Sequence, residues 1–414
     1  MTKPTWFDTS IENALITHES PEDELGYFVY QLDALKAHLA ALQQQDVIKL
    51  WFAVKANPLS KIIQTLDSEG FNFDVASSGE LAQVLAQGID PSRVLNTGPA
   101  KSKKQLTAFV KQGVNIFVVE SLNQLNWLNE AILEQEQSAH SNAKPKVLLR
   151  VQLQWHEGEK NPLGGNSLTP FGLSVSEWQN IHVDSYPALD ICGLHIFQWG
   201  NMLSNEKMFS LWSQMITPLT DLAKSIGMTL EVLDLGGGLG IDYLGEGQAL
   251  SWSRVIEDLA IIKEQAGVKE LWLELGRFAV AEYGYYVVPV VDRKMNYEQE
   301  QLVLAAGINH LLRPAITDQP FPVRILREGF VADDPMQAFD LHGPLCTSMD
   351  KLGHLQLPKD TAVGEQLVFG YCGAYGFTES MPFFLCHELA AEYVYQNGTL
   401  TQIRAALPAS SYLA

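Results

Sequence analysis

Between about residue 50 and residue 277 the chain alternates short apolar or β-branched runs with longer stretches of helical period, and it does so eight times. The runs are residues 50–55, 71–77, 93–97, 115–120, 146–153, 189–197, 230–235 and 270–275. Each of the first seven is followed by a polar-apolar segment such as 60–68 or 79–87, and another amphipathic segment, 32–44, precedes the first run. Eight such units predict an α/β fold, a closed (β/α)8 or TIM barrel. An open, doubly wound parallel sheet is the alternative. It ranks second because charged and glycine-rich residues follow many different strands, and a barrel gathers those tips around one mouth.

After Arg277 the helical period largely disappears. Residues 285–291, 301–305, 323–327, 337–341, 366–371 and 393–402 read as strands separated by turns. The expected division is a barrel over 31–285 and a β-rich second domain, a β-barrel or sandwich, over 286–414, joined by residues 1–30. With 414 residues, 46% of them hydrophobic, the chain can build both cores.

A formal net charge of −20 and the lack of any Lys/Arg cluster disfavour nucleic acid and anionic lipid as partners. No apolar stretch approaches the length of a membrane span, and Met1-Thr2-Lys3-Pro4-Thr5 lacks the layout of a signal peptide, so a soluble cytoplasmic protein is expected. Cys192, Cys346, Cys372 and Cys386 are scattered without metal-ligand spacing. Neither a disulfide framework nor a metal site is expected from them.

Chemistry concentrates where the runs end. Lys55 closes Trp51-Phe52-Ala53-Val54 just before Ala56-Asn57-Pro58. A lysine on a dry strand needs a partner or a chemical task, since desolvation favours the neutral, nucleophilic amine; otherwise it lies just past the strand and snorkels to water. The seventh run ends in Asp234-Leu235-Gly236-Gly237-Gly238-Leu239-Gly240 and the eighth in Glu274-Leu275-Gly276-Arg277. In a barrel those two loops favour phosphate, with glycines admitting the oxygens and an arginine adding a charged fork. An amine at the first strand and a phosphate cradle at the last two imply a phosphorylated aldehyde cofactor, and pyridoxal 5′-phosphate fits.

With these features the chain resembles the barrel-type (fold-type III) pyridoxal-phosphate decarboxylases, the ornithine and diaminopimelate decarboxylase group, with alanine racemase more distant. The resemblance runs through residues 52–58, Phe73-Asp74-Val75-Ala76-Ser77-Ser78-Gly79-Glu80-Leu81, the triple glycine, Glu274 to Arg277, Gly343-Pro344-Leu345-Cys346 and Gly373-Ala374-Tyr375-Gly376. It implies that Lys55 binds the cofactor aldehyde covalently, that Asp74 belongs to the cofactor site, and that Glu274 keeps the pyridine nitrogen protonated. It also implies that Gly236, Gly237, Gly238, Gly276, Arg277 and Tyr375 hold the phosphate. Cys346 would act as proton donor across a homodimer interface, making the active sites shared; its bland reading is a buried apolar residue.

Two stretches depart from the family pattern. Gly193-Leu194-His195-Ile196-Phe197-Gln198-Trp199-Gly200-Asn201 leaves open whether His195 or Phe197 lies against the cofactor ring, with His195 favoured and Asn201 standing in for a phosphate-binding serine. Cys346 is followed by Thr347-Ser348-Met349-Asp350 rather than by the acid that grips a distal ammonium. Asn309-His310-Leu311-Leu312-Arg313-Pro314 resembles the segment whose arginine binds a distal carboxylate, although Arg313 as an ordinary ion-pair residue is the bland reading. Arg313, His310, Thr347 and Asp350 are therefore the candidate substrate residues. The resemblance implies decarboxylation of an amino acid unit with a carboxylate-bearing tail, as in siderophore assembly on citryl-serine or citryl-diaminopropionate. Diaminopimelate decarboxylation is the alternative, and a catalytically inactive regulatory homologue is the reading from another class.

Overall fold

The computed structural model describes residues 6–18, 25–136, 144–155, 160–161, 164–165, 168–245, 249–317, 320–328 and 335–413. The chain divides into two compact units, one of Leu39–Ile241 with Gln248–Ala279 and the other of Met1–His38, Asp242–Gly247 and Val280–Ala414.

The first unit is a closed barrel of eight parallel strands: β1 (Lys49–Ala53), β2 (Asn72–Val75), β3 (Val94–Asn96), β4 (Ile116–Val119), β5 (Lys146–Arg150), β6 (Asp190–His195), β7 (Val232–Asp234) and β8 (Glu270–Leu275). The alternative of an open sheet is excluded, because β8 pairs with β1 through Trp272↔Lys49 and Leu275↔Phe52. Most connections are helices, and four of them open on a serine that satisfies a free backbone N–H: Ser77 caps Ser78–Leu85, Ser102 caps Lys103–Lys111, Ser204 caps Asn205–Ser225 and Ser251 caps Trp252–Ala266. Between β5 and β6 the described helix shrinks to Val175–Trp178.

Alternating strand residues fill the barrel in layers. The floor holds Lys49, Lys146 and Glu270. The Lys49 ammonium lies 4.8 Å from the Trp51 ring and 5.2 Å from that of Trp272, and Trp272 donates to Glu270 at 2.8 Å. Above it is an apolar layer of Trp51, Leu95, Ile116, Val118, Leu148, Cys192, Val232 and Trp272. Burial, and then the charge of Asp190, push the Cys192 thiol up to about 12, so it behaves as a small hydrophobe. Polar residues occupy the level of the strand tips.

The second unit centres on a nine-stranded sheet. Its path runs Lys351–Pro358, Met336–His342, Gln299–Leu304, Gly284–Asn296, Tyr27–Gln31, Ala391–Gln396 and Thr399–Arg404; Gln366–Phe369 also pairs with Gly284–Asn296, and Val323–Leu326 with Gln366–Phe369. The run expected over 393–402 is a hairpin folded at Asn397-Gly398, both at positive φ. Phe7, Ile11, Leu15, Tyr27, Tyr285, Val287, Val368 and Tyr393 form one core of this unit. No helix among the described residues is long and apolar enough to cross a membrane.

Candidate active site

Seven successive strands of the barrel place a buried polar residue at their tip, within one residue of the strand end: Asp74, Thr97, Glu120, Arg150, His195, Asp234 and Glu274. Charges at such depth survive only in mutual partnership. Thr97 donates to Asp74 at 2.5 Å, Arg150 pairs with Glu120 at 3.0 Å, and His195 Nε2 shares a hydrogen bond with Glu274 at 3.2 Å. Glu120 also accepts from the N–H of Gly172, and the Arg150 guanidinium lies 4.6 Å from the Phe171 ring. Donor atoms of His195, Asp234 and Glu274 lie within 4.8 Å of one another.

Their electrostatics sort the acids. Burial works to raise Glu274, but His195 first, and then the charges of Lys55 and Arg150, outweigh it and hold this carboxyl below the usual range. Burial, and then the Glu274 charge, push both Asp74 and Asp234 well above theirs. Burial lowers His195. One ionised carboxylate thus faces a neutral imidazole and two acids driven toward protonation.

Lys55 does not end the strand. β1 stops at Ala53, and Lys55 lies in the 3₁₀ turn Val54–Ala56, exposed between two buried neighbours. The expectation of an amine desolvated on a dry strand is corrected: Asn57 and Pro58 turn the chain early and bring the amine out at the mouth. Its charge still reaches Asp74 and Glu274, opposing the effect of burial at both.

The loops after β6 and β7 are zipped together by Met202 N–H to Gly238 O and Gly240 N–H to Met202 O, each 2.8 Å. Here the glycines are a matter of space. A Cβ on Gly237 would sit 2.3 Å from the Glu274 carbonyl oxygen, and one on Gly236 2.5 Å from Phe197 Cβ. This settles the direction of the Gly193–Asn201 segment: His195 points at Glu274, while Phe197 packs on the glycine loop. Asn201, at φ 54°, accepts from the N–H of Ile241 at 3.0 Å, so its carbonyl oxygen is engaged within the protein. Gly276 and Arg277 follow directly, Arg277 opening the short helix Arg277–Val280.

These residues fit the expected cofactor. His195 Nδ1 and Asp234 Oδ2 are buried without a hydrogen-bond partner, which in a finished protein marks a place where something else binds. An ionised Glu274 suits a protonated ring nitrogen, and the glycine loop is a cradle that any side chain would fill.

In the second unit, Cys346 is exposed, against the bland reading of a buried cysteine, and Thr347 is half-buried. Two substrate candidates are corrected. Asp350 is buried and spends both oxygens on backbone, accepting from Ile308 at 2.8 Å and Leu345 at 2.7 Å, so it clamps the segments around Gly307 and Gly343. His310 is buried with both ring nitrogens engaged, one with the Tyr286 hydroxyl at 3.1 Å and one with the Glu388 carbonyl at 2.8 Å. Arg313 pairs with Glu379 through two contacts of 2.8 and 2.9 Å, its guanidinium 4.4 Å from the Tyr375 ring.

Comparison with known proteins agrees with this chemistry. The family described as "Pyridoxal-dependent decarboxylase, pyridoxal binding domain" matches residues 32–281. A Staphylococcus aureus protein, 2-[(L-alanin-3-ylcarbamoyl)methyl]-2-hydroxybutanedioate decarboxylase, is 27% identical over 90% of this chain and 94% of its own. A diaminopimelate decarboxylase of Pseudomonas aeruginosa is 30% identical over 80% of this chain and 77% of its own. Among solved structures, diaminopimelate decarboxylase of Helicobacter pylori complexed with L-lysine superposes with a TM-score of 0.82 over 97% of each chain at 21% identity, a likeness of fold.

Proposed function

The chain belongs to the pyridoxal-dependent decarboxylase family, and from that premise we propose that it removes the α-carboxylate of an amino acid unit whose far end carries carboxylates, a citryl-amino acid intermediate of siderophore assembly. Its cofactor is pyridoxal 5′-phosphate. When bound, that group supplies an electron sink for the pair left as carbon dioxide departs.

The protein's own residues divide the remaining work. Lys55, at the mouth, is the amine that holds the cofactor aldehyde. Glu274, kept ionised by His195, secures the proton on the ring nitrogen. Gly236, Gly237, Gly238, Gly276 and Arg277 hold the phosphate, joined by Tyr375. Cys346 delivers the proton that replaces the carboxylate, and in our reading it does so across a homodimer. Arg313 and Thr347 receive the substrate's tail.

One observation carries the reaction class: a buried Glu274 carboxyl held below the usual range by its His195 partner, beside Asp74 and Asp234, which burial pushes the other way. The substrate class is supported by the S. aureus relative, whose named substrate is a hydroxybutanedioate joined by an amide to alanine, over nearly the whole of both chains. Diaminopimelate is the second reading, favoured by the P. aeruginosa relative and opposed by Thr347, which offers no charge to a distal ammonium. Carbon dioxide release from purified holoenzyme, measured against citryl-serine, citryl-diaminopropionate and meso-diaminopimelate, tests the proposal. Turnover of a citryl conjugate is expected; an ordinary enzymatic rate on diaminopimelate alone would overturn the substrate class.

A further inference from the structure

Gly236, the first of the three glycines after β7, is pinned at both ends of its own backbone. Its N–H donates to Asp234 Oδ1 at 2.8 Å, and its carbonyl accepts the N–H of Glu274 on β8 at 2.6 Å. Further along, the Gly238 carbonyl accepts from Met202 and the Gly240 N–H donates to Met202. Among the described residues no group accepts from the N–H of Gly237 or of Gly238, so two free donors stand in a segment held on either side. Asp234 itself closes β7 fully buried, 0% exposed, and its carboxyl lies within 4.8 Å of donor atoms of His195 and Glu274.

We propose that Asp234 is a positioning residue of the cofactor site: by holding the Gly236 N–H it turns the glycine loop so that the N–H groups of Gly237 and Gly238 are presented to the phosphate. The inference rests on the pyridoxal-phosphate reading of the barrel. Burying one carboxyl beside another is costly, and an apolar side chain would fill this strand tip without that cost, so the carboxyl needs a task. Among the described residues its side chain makes one hydrogen bond, the one to Gly236. That bond matters because the loop runs through φ 62° at Gly236 and 111° at Gly238, a path that no regular ladder holds. It also divides the glycines by task. The N–H of Gly236 is spent, so this residue serves the phosphate through its shape, and the next two serve as donors, as successive backbone amides in a turn do for anions. The acceptor oxygen of Asp234, rather than a charge, does the holding. Burial and then the neighbouring Glu274 favour the neutral acid, and a neutral acid keeps an acceptor oxygen.

The test measures, by equilibrium dialysis, the Kd of the full chain for pyridoxal 5′-phosphate and for pyridoxal. Their ratio reads the grip on the phosphate alone, and circular dichroism follows folding. Asp234→Ala is expected to fold and to lower the preference for the phosphorylated ligand about tenfold, with pyridoxal binding as in wild type; Asp234→Asn, which keeps the acceptor oxygen, is expected to restore the preference. A folded Asp234→Ala with the wild-type ratio overturns the proposal, because a packing role alone would not single out the phosphate. So does an Asp234→Asn as impaired as Asp234→Ala, since the charge would then be the cause. Should Asp234→Ala fail to fold, amide exchange in wild-type protein carrying isotope-labelled glycine decides. Gly236 is expected to be protected before cofactor is added, and Gly237 and Gly238 only afterwards; a Gly236 amide that exchanges freely until cofactor arrives overturns the proposal equally. Wild-type protein with added cofactor but no visible band would instead refute the decarboxylase reading.

Discussion

Arg313, proposed above to receive the substrate's tail, already holds a carboxylate of the protein's own. The Glu379 pair is two-pronged and lies beside Tyr375, so an acidic tail docking there must displace or share Glu379. Glu379→Gln, which frees the fork, is expected to lower KM several-fold for a carboxylate-tailed substrate in steady-state carbon dioxide assays, with kcat little changed. At Glu274 the expectation is the reverse: Glu274→Gln should lower kcat by about 10²-fold, since an amide cannot hold the ring nitrogen protonated. Lys55 and Glu274 were legible because each closes an apolar run. Glu120 and Arg150 close apolar runs too and were passed over, because an ion pair formed across neighbouring strands is invisible until the strands are paired. His310 and Asp350 misled for a related reason: lying near Arg313 and Cys346 in the chain says nothing about which way a side chain is buried.

All eight barrel strands were legible as elements, since continuous apolar runs are what a sheet covered on both faces requires. Boundaries were less so, Lys55 being the costly case. The strand Lys351–Pro358 was missed because its inward residues alternate with Gly353, His354 and Gln356 in a weak pattern. The Asn397-Gly398 turn, by contrast, was in plain view between two runs read as one. The glycine loop makes a prediction at this scale. Gly237→Ala should displace the loop from β8 and weaken cofactor binding at least tenfold by dialysis. Gly88→Ala, at φ 81° in open space, should cost about 1 kcal/mol of stability and leave cofactor binding alone.

For the molecule as a whole, pH acts through its buried groups. His310 is held to about 4 by burial, against an ordinary value of 6.5. The unfolded chain therefore binds more protons than the native one between those values. The native state's advantage is complete above 6.5 and is lost as pH falls toward 4, a contribution on the order of 3 kcal/mol. Urea unfolding across that window should show the slope in wild type and a shallower one in His310→Gln. The proposed sharing of sites across a homodimer makes a separate prediction: Lys55→Ala and Cys346→Ala chains, each inactive, should on mixing recover up to about a quarter of the wild-type rate, because half of such dimers would carry one intact site. A rate that stays at zero would confine each site to one protomer.

The lysine pressed between two tryptophans at the base of the barrel stoppers it like a bottle. A bottle has one neck, so whatever reaches the polar layer above must leave by the route it entered. Released gas, departing amine and the next substrate then share a single doorway.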